Sequence, residues 1–146
     1  MWVDSFGNDV QFEDIKKTVS NPENMIYIGT DSHAYGGIWL FATVICCHIP
    51  GRGGRFYTKR IKILRDEFRT LPERLLHEAY LSIAAAQEVE EFCYNKPKIH
   101  VDISKKGNGS AKSYSIVSSY VLGMGYDVTT KPDAWASSSI ADRQAR

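Results

Sequence analysis

The chain has 146 residues, 43% of them hydrophobic and 24% charged, with a formal net charge of +1 at pH 7. That length suits one domain, which buries roughly 68–70% of its unfolded surface and needs no disulfide or metal staple. The composition excludes a disordered, collagenous or globally basic chain, so any surface that meets a polyanion is local.

Residues 1–24 read as a polar N-terminal extension with a short helix over 12–19, stopped at Ser20-Asn21-Pro22. The domain proper is expected to span 25–146. Residues 25–30 are a compact apolar run bounded by Asn21-Pro22 and Asp31-Ser32, which predicts a buried first strand. Residues 37–48 and 55–63 form two further strands joined by the Gly- and Pro-rich segment 50–54, giving three antiparallel strands. Cys46 and Cys47 are adjacent on the second of these and point to opposite faces, and with Cys93 they make no Cys-x-x-Cys pair, so reduced thiols are expected.

Thr70-Leu71-Pro72-Glu73 fits a capping box with Pro in the first turn and opens a long helix reaching Cys93. A fourth strand follows over 98–103, a helix over 113–122, a fifth strand over 126–130 and a terminal helix over 135–146. The order βββ-α-β-α-β-α favours a parallel crossover, hence an α/β fold. Its expected core is a five-stranded mixed sheet, three antiparallel strands then two parallel, with helices on both faces. This is the element order of ribonuclease H. No apolar run reaches the ~18 residues of a membrane span and the N-terminus is polar, so a soluble, cytoplasmic protein is expected.

Four acids fall where that topology gathers strand ends. Asp31 closes the first strand, where ligands bind in open α/β sheets, although an Asp-Ser turn explains it equally well. Glu78 lies on the small and apolar stripe of the long helix, counted from Leu75 through Ala79, Ser82, Ala86 and Val89. A carboxylate there needs a partner such as Arg74, or a metal. Asp102 alternates with Val101 and Ile103 near the end of the fourth strand. Asp133 precedes the last helix as cap or ligand, with Asp142, nine residues on, as the alternative.

Carboxylate oxygens suit Mg²⁺ or Mn²⁺, and paired ions about 3.5–4 Å apart support phosphodiester cleavage. His33 is a candidate phosphate contact or proton shuttle and otherwise a loop histidine. Two loops carry Gly with Lys and Arg: Arg52 and Arg55 in one, Lys105 and Lys106 in the other, with Lys131 farther on. All five, like His33, are candidate substrate contacts, and each loop is also explained as a solvated basic turn. Tyr35, Trp39, Tyr57 and Trp135 are either core or base-stacking residues.

With Tyr27-Ile28-Gly29-Thr30-Asp31-Ser32-His33, Arg74-Leu75-Leu76-His77-Glu78-Ala79-Tyr80, His100-Val101-Asp102-Ile103 and Lys131-Pro132-Asp133-Ala134-Trp135, the chain resembles the YkuK-like family of ribonuclease H-like proteins over about residues 25–143. The resemblance implies the fold and a metal-dependent nuclease acting on nucleic acid, with Asp31, Glu78, Asp102 and Asp133 or Asp142 as metal ligands. It equally admits a non-catalytic nucleic-acid-binding or assembly module. Ile28-Gly29-Thr30-Asp31-Ser32-His33 also looks like the phosphate loop of actin- and sugar-kinase-type ATPases, but those close a second domain over nucleotide and 146 residues leave no room for one.

Overall fold

The computed structural model describes residues 1–105 and 113–146. Its elements are β1 (Trp2–Val3), β2 (Asp9–Val10), α1 (Phe12–Val19), β3 (Met25–Tyr35), β4 (Ile38–Ile49), β5 (Gly53–Leu64), α2 (Leu71–Val89), β6 (Lys98–His100), α3 (Tyr114–Gly123), β7 (Val128–Thr129) and α4 (Asp142–Ala145). A 3₁₀ turn (Arg65–Glu67) precedes α2, and a π-helical segment (Ala136–Ala141) runs into α4.

The strands form one sheet in the order β2-β1-β5-β4-β3-β6-β7. Pairing is antiparallel from β2 through to β3, and parallel for β3 with β6 and β6 with β7. The mixed sheet is therefore as expected in type, but it has seven strands rather than five. The two extra strands come from the N-terminal stretch, where β1 pairs Val3 with Thr58 and the turn to β2 closes on Asp4, whose side chain accepts from the backbone of Phe6 and Asn8. Two-residue strands are too short to display a period of two, which is why pattern reading passes over them.

One face carries α1, α2 and α3 over a core that includes Ile15, Val19, Ile28, Ile45, Ala86 and Val117. The opposite face carries the C-terminal segment, with Ala136 and Ala141 against Val44 and Cys46. That second contact is close because the facing residues are small. A Cβ on Gly29 would meet Ser137 N at 2.6 Å and the Ala136 carbonyl carbon at 2.8 Å, so only glycine lets this backbone lie on β3. Farther along, Tyr35 Oη donates to Ala145 O (3.0 Å) and Arg60 Nε to Gln144 O (2.8 Å), fastening the chain end along β3 and β5.

Three of the boundaries that differ from the sequence reading shape the site. β3 does not end at Thr30 but continues through Asp31 to Tyr35, because Gly36 (φ +57°) turns the chain tightly into β4 and every residue from Met25 to Tyr35 finds a partner there. β6 is shorter than expected, pairing with β3 only as far as Gly29 opposite His100. α2 has the expected Thr70 cap, accepting from Glu73 N at 3.3 Å, and ends at Val89 rather than Cys93. The consequence is an open step: β3 runs six residues past the end of β6, and among the described residues no strand covers that edge.

Gly29→Ala is expected to destabilise the protein by about 1–3 kcal/mol, as overpacking against fixed backbone does, measured as a lowered denaturant midpoint. An unchanged midpoint contradicts the close approach of the C-terminal segment.

Candidate metal and phosphate site

The step beside β3 collects acids from three directions. Along β3, side chains alternate: Thr30 Oγ1 meets Ser82 Oγ (2.7 Å) and Ser32 Oγ donates to Glu78 Oε2 (2.5 Å) on the α2 face. Asp31 and His33 point to the other face, toward the C-terminal segment. Asp102 stands just past β6 in the gap between them. Glu78 and Asp102 line one small cavity of about 10 Å³ with Thr30, Ser82 and His100, room for about one water molecule.

Asp31 is 7% exposed and Glu78 is 4% exposed. Burial, then the charge of Asp102 and a hydrogen bond with Asp142, push Asp31 up to about 7 from an ordinary 3.8. Burial, then the charge of Asp31, pushes Glu78 well above the usual carboxylate range, against the hydrogen bond from Ser32 and the charge of Arg74. Asp142 moves the other way. Burial, the largest single influence, pushes it up, but hydrogen bonds with His33, Arg146 and Asp31 and the charge of Arg146 together outweigh it and hold Asp142 lowered. Of this pair Asp31 is the acid that holds the proton, giving it up around pH 7, and it donates that proton to Asp142.

Three of the acids, Glu78, Asp102 and Asp142, also have a cationic neighbour. Arg74 Nη1 donates to Ser32 Oγ (2.8 Å) and lies 3.5 Å from Glu78 Oε2. Lys131 Nζ lies 3.1 Å from Asp102 Oδ1, which also accepts from Ser138 Oγ at 2.9 Å. Arg146 Nε donates to Asp142 Oδ2 (3.1 Å), and His33 Nε2 sits 2.9 Å from Asp142 Oδ1 and 3.4 Å from Asp31 Oδ2. Asp31, His33 and Asp142 each offer a ligand atom within 4.8 Å of the others.

The acid that joins Asp31 is thus Asp142. Asp133 is exposed, lies in the turn after β7, and has no side-chain partner among the described residues. The physical reason is direction: the C-terminal segment starts over Gly29 and runs alongside β3, so its far end, not its beginning, reaches the step. A π turn adds a residue per turn and resets which side chains face the sheet.

Arg52 pairs with Glu23 (3.3 Å) at the β4–β5 hairpin, and Arg55 lies opposite Cys47, both at the end of the sheet away from the acids. Lys105 is exposed over the Tyr114 ring, and Lys106 lies outside the described residues. Sequence reading passed over Ser32, Ser138 and Arg146. Only Arg146 left a signal, its i,i+4 spacing from Asp142.

A family model described as Ribonuclease H-like matches residues 10–146, nearly the whole chain. The chain belongs to the ribonuclease H-like family, which points to a nuclease or a module that handles nucleic acid. No curated protein and no solved structure matches it. Among the described residues no helix is long and apolar enough to cross a membrane.

Asp31 binds more protons folded than unfolded between its ordinary value of 3.8 and about 7, so its ionisation costs stability as pH rises through that window. In chelator, the melting temperature of Asp31→Asn relative to wild type should climb from pH 4 to pH 7 and level off above. A difference that stays constant with pH contradicts the raised carboxyl.

Proposed function

We propose that the protein is a metal-dependent nuclease that hydrolyses phosphodiester bonds in nucleic acid, with Asp31, Glu78, Asp102 and Asp142 as its acids. The observation that carries this reading is the buried cluster itself. Carboxylates desolvated together are costly, and in a fold of this family such a cluster at an open sheet step is best explained as a site for a divalent cation.

The donor set fits a divalent ion. Carboxylate oxygens from Asp31 and Asp142 suit Mg²⁺ or Mn²⁺, and the His33 imidazole adds a nitrogen that favours Mn²⁺ of the two. Such an ion, when bound, supplies Lewis-acid stabilisation of charge building on the phosphoryl oxygens. The chain's own groups do the rest. Asp31 would hold the ion as a carboxylate, its proton released to water, and His33 Nε2, which faces Asp31 and Asp142, would be the nitrogen ligand beside them. Lys131 and Arg74 hold positive charge at the rim where phosphate enters. Three free thiols accord with a cytoplasmic setting.

A second reading draws on a separate observation. Arg74, Lys131 and Arg146 already neutralise Glu78, Asp102 and Asp142 without metal, as a non-catalytic nucleic-acid-binding or assembly module would need.

The two separate by cleavage of single-stranded DNA, RNA and hybrid substrates in Mn²⁺. Wild type should cut at least one, Asp31→Asn and Asp142→Asn should not, and Asp133→Asn should cut like wild type. Cutting that survives Asp31→Asn or chelator overturns the nuclease reading. Mn²⁺ at a hundred times its Kd should also stabilise wild type by about 2.7 kcal/mol, seen as a raised melting temperature, and Asp31→Asn should lose most of that gain.

A further inference from the structure

On the α2 side of the acid cluster, Trp39 stands in β4 opposite Ala34 of β3 and Ile63 of β5. Two arginines are packed on its indole: Arg74 with its guanidinium carbon 4.3 Å from the ring centroid, and Arg65 at 5.4 Å. Both are anchored through one nitrogen. Arg74 uses Nη1 for Ser32 and Glu78, and Arg65 uses Nη1 for Gly36 O at 3.2 Å. Among the described residues, Nε and Nη2 of both arginines have no protein acceptor. Those two nitrogens form the side-on fork of a guanidinium, whose parallel N–H bonds match two oxygens of one phosphate.

We propose that Arg65 and Arg74, braced on Trp39 beside the acid cluster, form a strip that binds the phosphodiester backbone of a nucleic-acid strand and leads it to the cleft. The choice of ligand rests on the nuclease reading of that cleft; the arginine geometry does not. Stacking on the indole removes rotamer freedom before any ligand arrives, so less is lost on binding. Arg65 is exposed, and the Arg74 side chain is 20% exposed, so the forks lie at the rim rather than in the core. Asp66, Glu67 and Glu73 are exposed nearby, and among the described residues none forms an ion pair with either arginine. A mononucleotide or inorganic phosphate fills one fork, whereas a strand with successive phosphates engages both. Trp39 therefore serves as a platform for guanidinium groups and not as a stacking partner for bases.

The test is fluorescence anisotropy of labelled 20-nucleotide DNA and RNA single strands, in chelator so that neither metal nor cleavage contributes. Wild type should bind, and its affinity should fall with salt. Arg65→Gln and Arg74→Lys should each weaken binding roughly tenfold, the loss of one charge-assisted hydrogen-bonded contact. Arg65→Gln should also reduce the slope of log K against log salt by about 0.7. Trp39→Leu should weaken binding while leaving both charges in place, and millimolar inorganic phosphate should compete poorly. Arg65 is exposed and, among the described residues, its side chain hydrogen-bonds only the hairpin backbone at Gly36, so Arg65→Gln carries the test if Arg74→Lys is found misfolded by circular dichroism.

Wild-type affinity in Arg65→Gln, an unchanged salt slope, or no binding by wild type overturns the strip. Strip variants that weaken binding while wild type fails to cut in Mn²⁺ overturn the nuclease reading and leave the strip standing.

Discussion

Like charges buried together set the terms for this molecule. Asp31 and Glu78 are both withdrawn from water, the charge of Asp31 raises the cost of ionising Glu78, and Asp102 adds to both. Such a cluster persists only if its surroundings hold it, and four elements contribute. α2 brings Arg74 to Glu78, β3 brings Ser32 to bridge them, the turn after β7 brings Lys131 to Asp102, and the C-terminal segment brings Arg146 and the proton-accepting Asp142. Removing one cation leaves a partly desolvated acid uncompensated, which costs more than an exposed ion pair is worth. The cluster is thus the point at which helices, sheet and chain end are tied together.

The scaffold makes this possible through unequal lengths. β3 and β4 continue beyond β6, leaving one edge of β3 without a strand partner among the described residues at the level of Asp31. Residues on either face of β3 can then face the same gap, so Glu78 arrives from the α2 side and Asp142 from the other. Gly29 lets the C-terminal backbone run flat along β3, and the small residues Ala136, Ser137 and Ala141 keep it there. A chemistry-bearing step is in this way bought with a glycine and a few alanines rather than with a dedicated loop.

How much of this the sequence discloses depends on range. α2 was legible from its cap and composition, the β3–β5 meander from strand patterns and turn residues, and Asp31, Glu78 and Asp102 as candidate acids from their positions on those elements. Local pattern stops there. The end of β3 was hidden because Asp31-Ser32-His33 reads as a turn, whereas pairing with β4 overrides that preference along its full length. Asp133 and Asp142 could not be ranked by distance along a helix, since the answer lies in which way the segment crosses the sheet. Arg52 and Arg55 looked like phosphate ligands by composition, yet the register of β4 with β5 carries them to the far end. Trp39 was legible as an aromatic of interest, but its two arginines come from segments 26 and 35 residues later in the chain.

The central claim is that Asp31 and Asp142 form a cation site. Crystals grown with Mn²⁺, with anomalous scattering measured at a wavelength where manganese contributes strongly, test it most directly. An anomalous peak is expected between Asp31 and Asp142. A map with no peak there at saturating Mn²⁺, or with manganese only at Asp133 or on exposed surface acids, contradicts it.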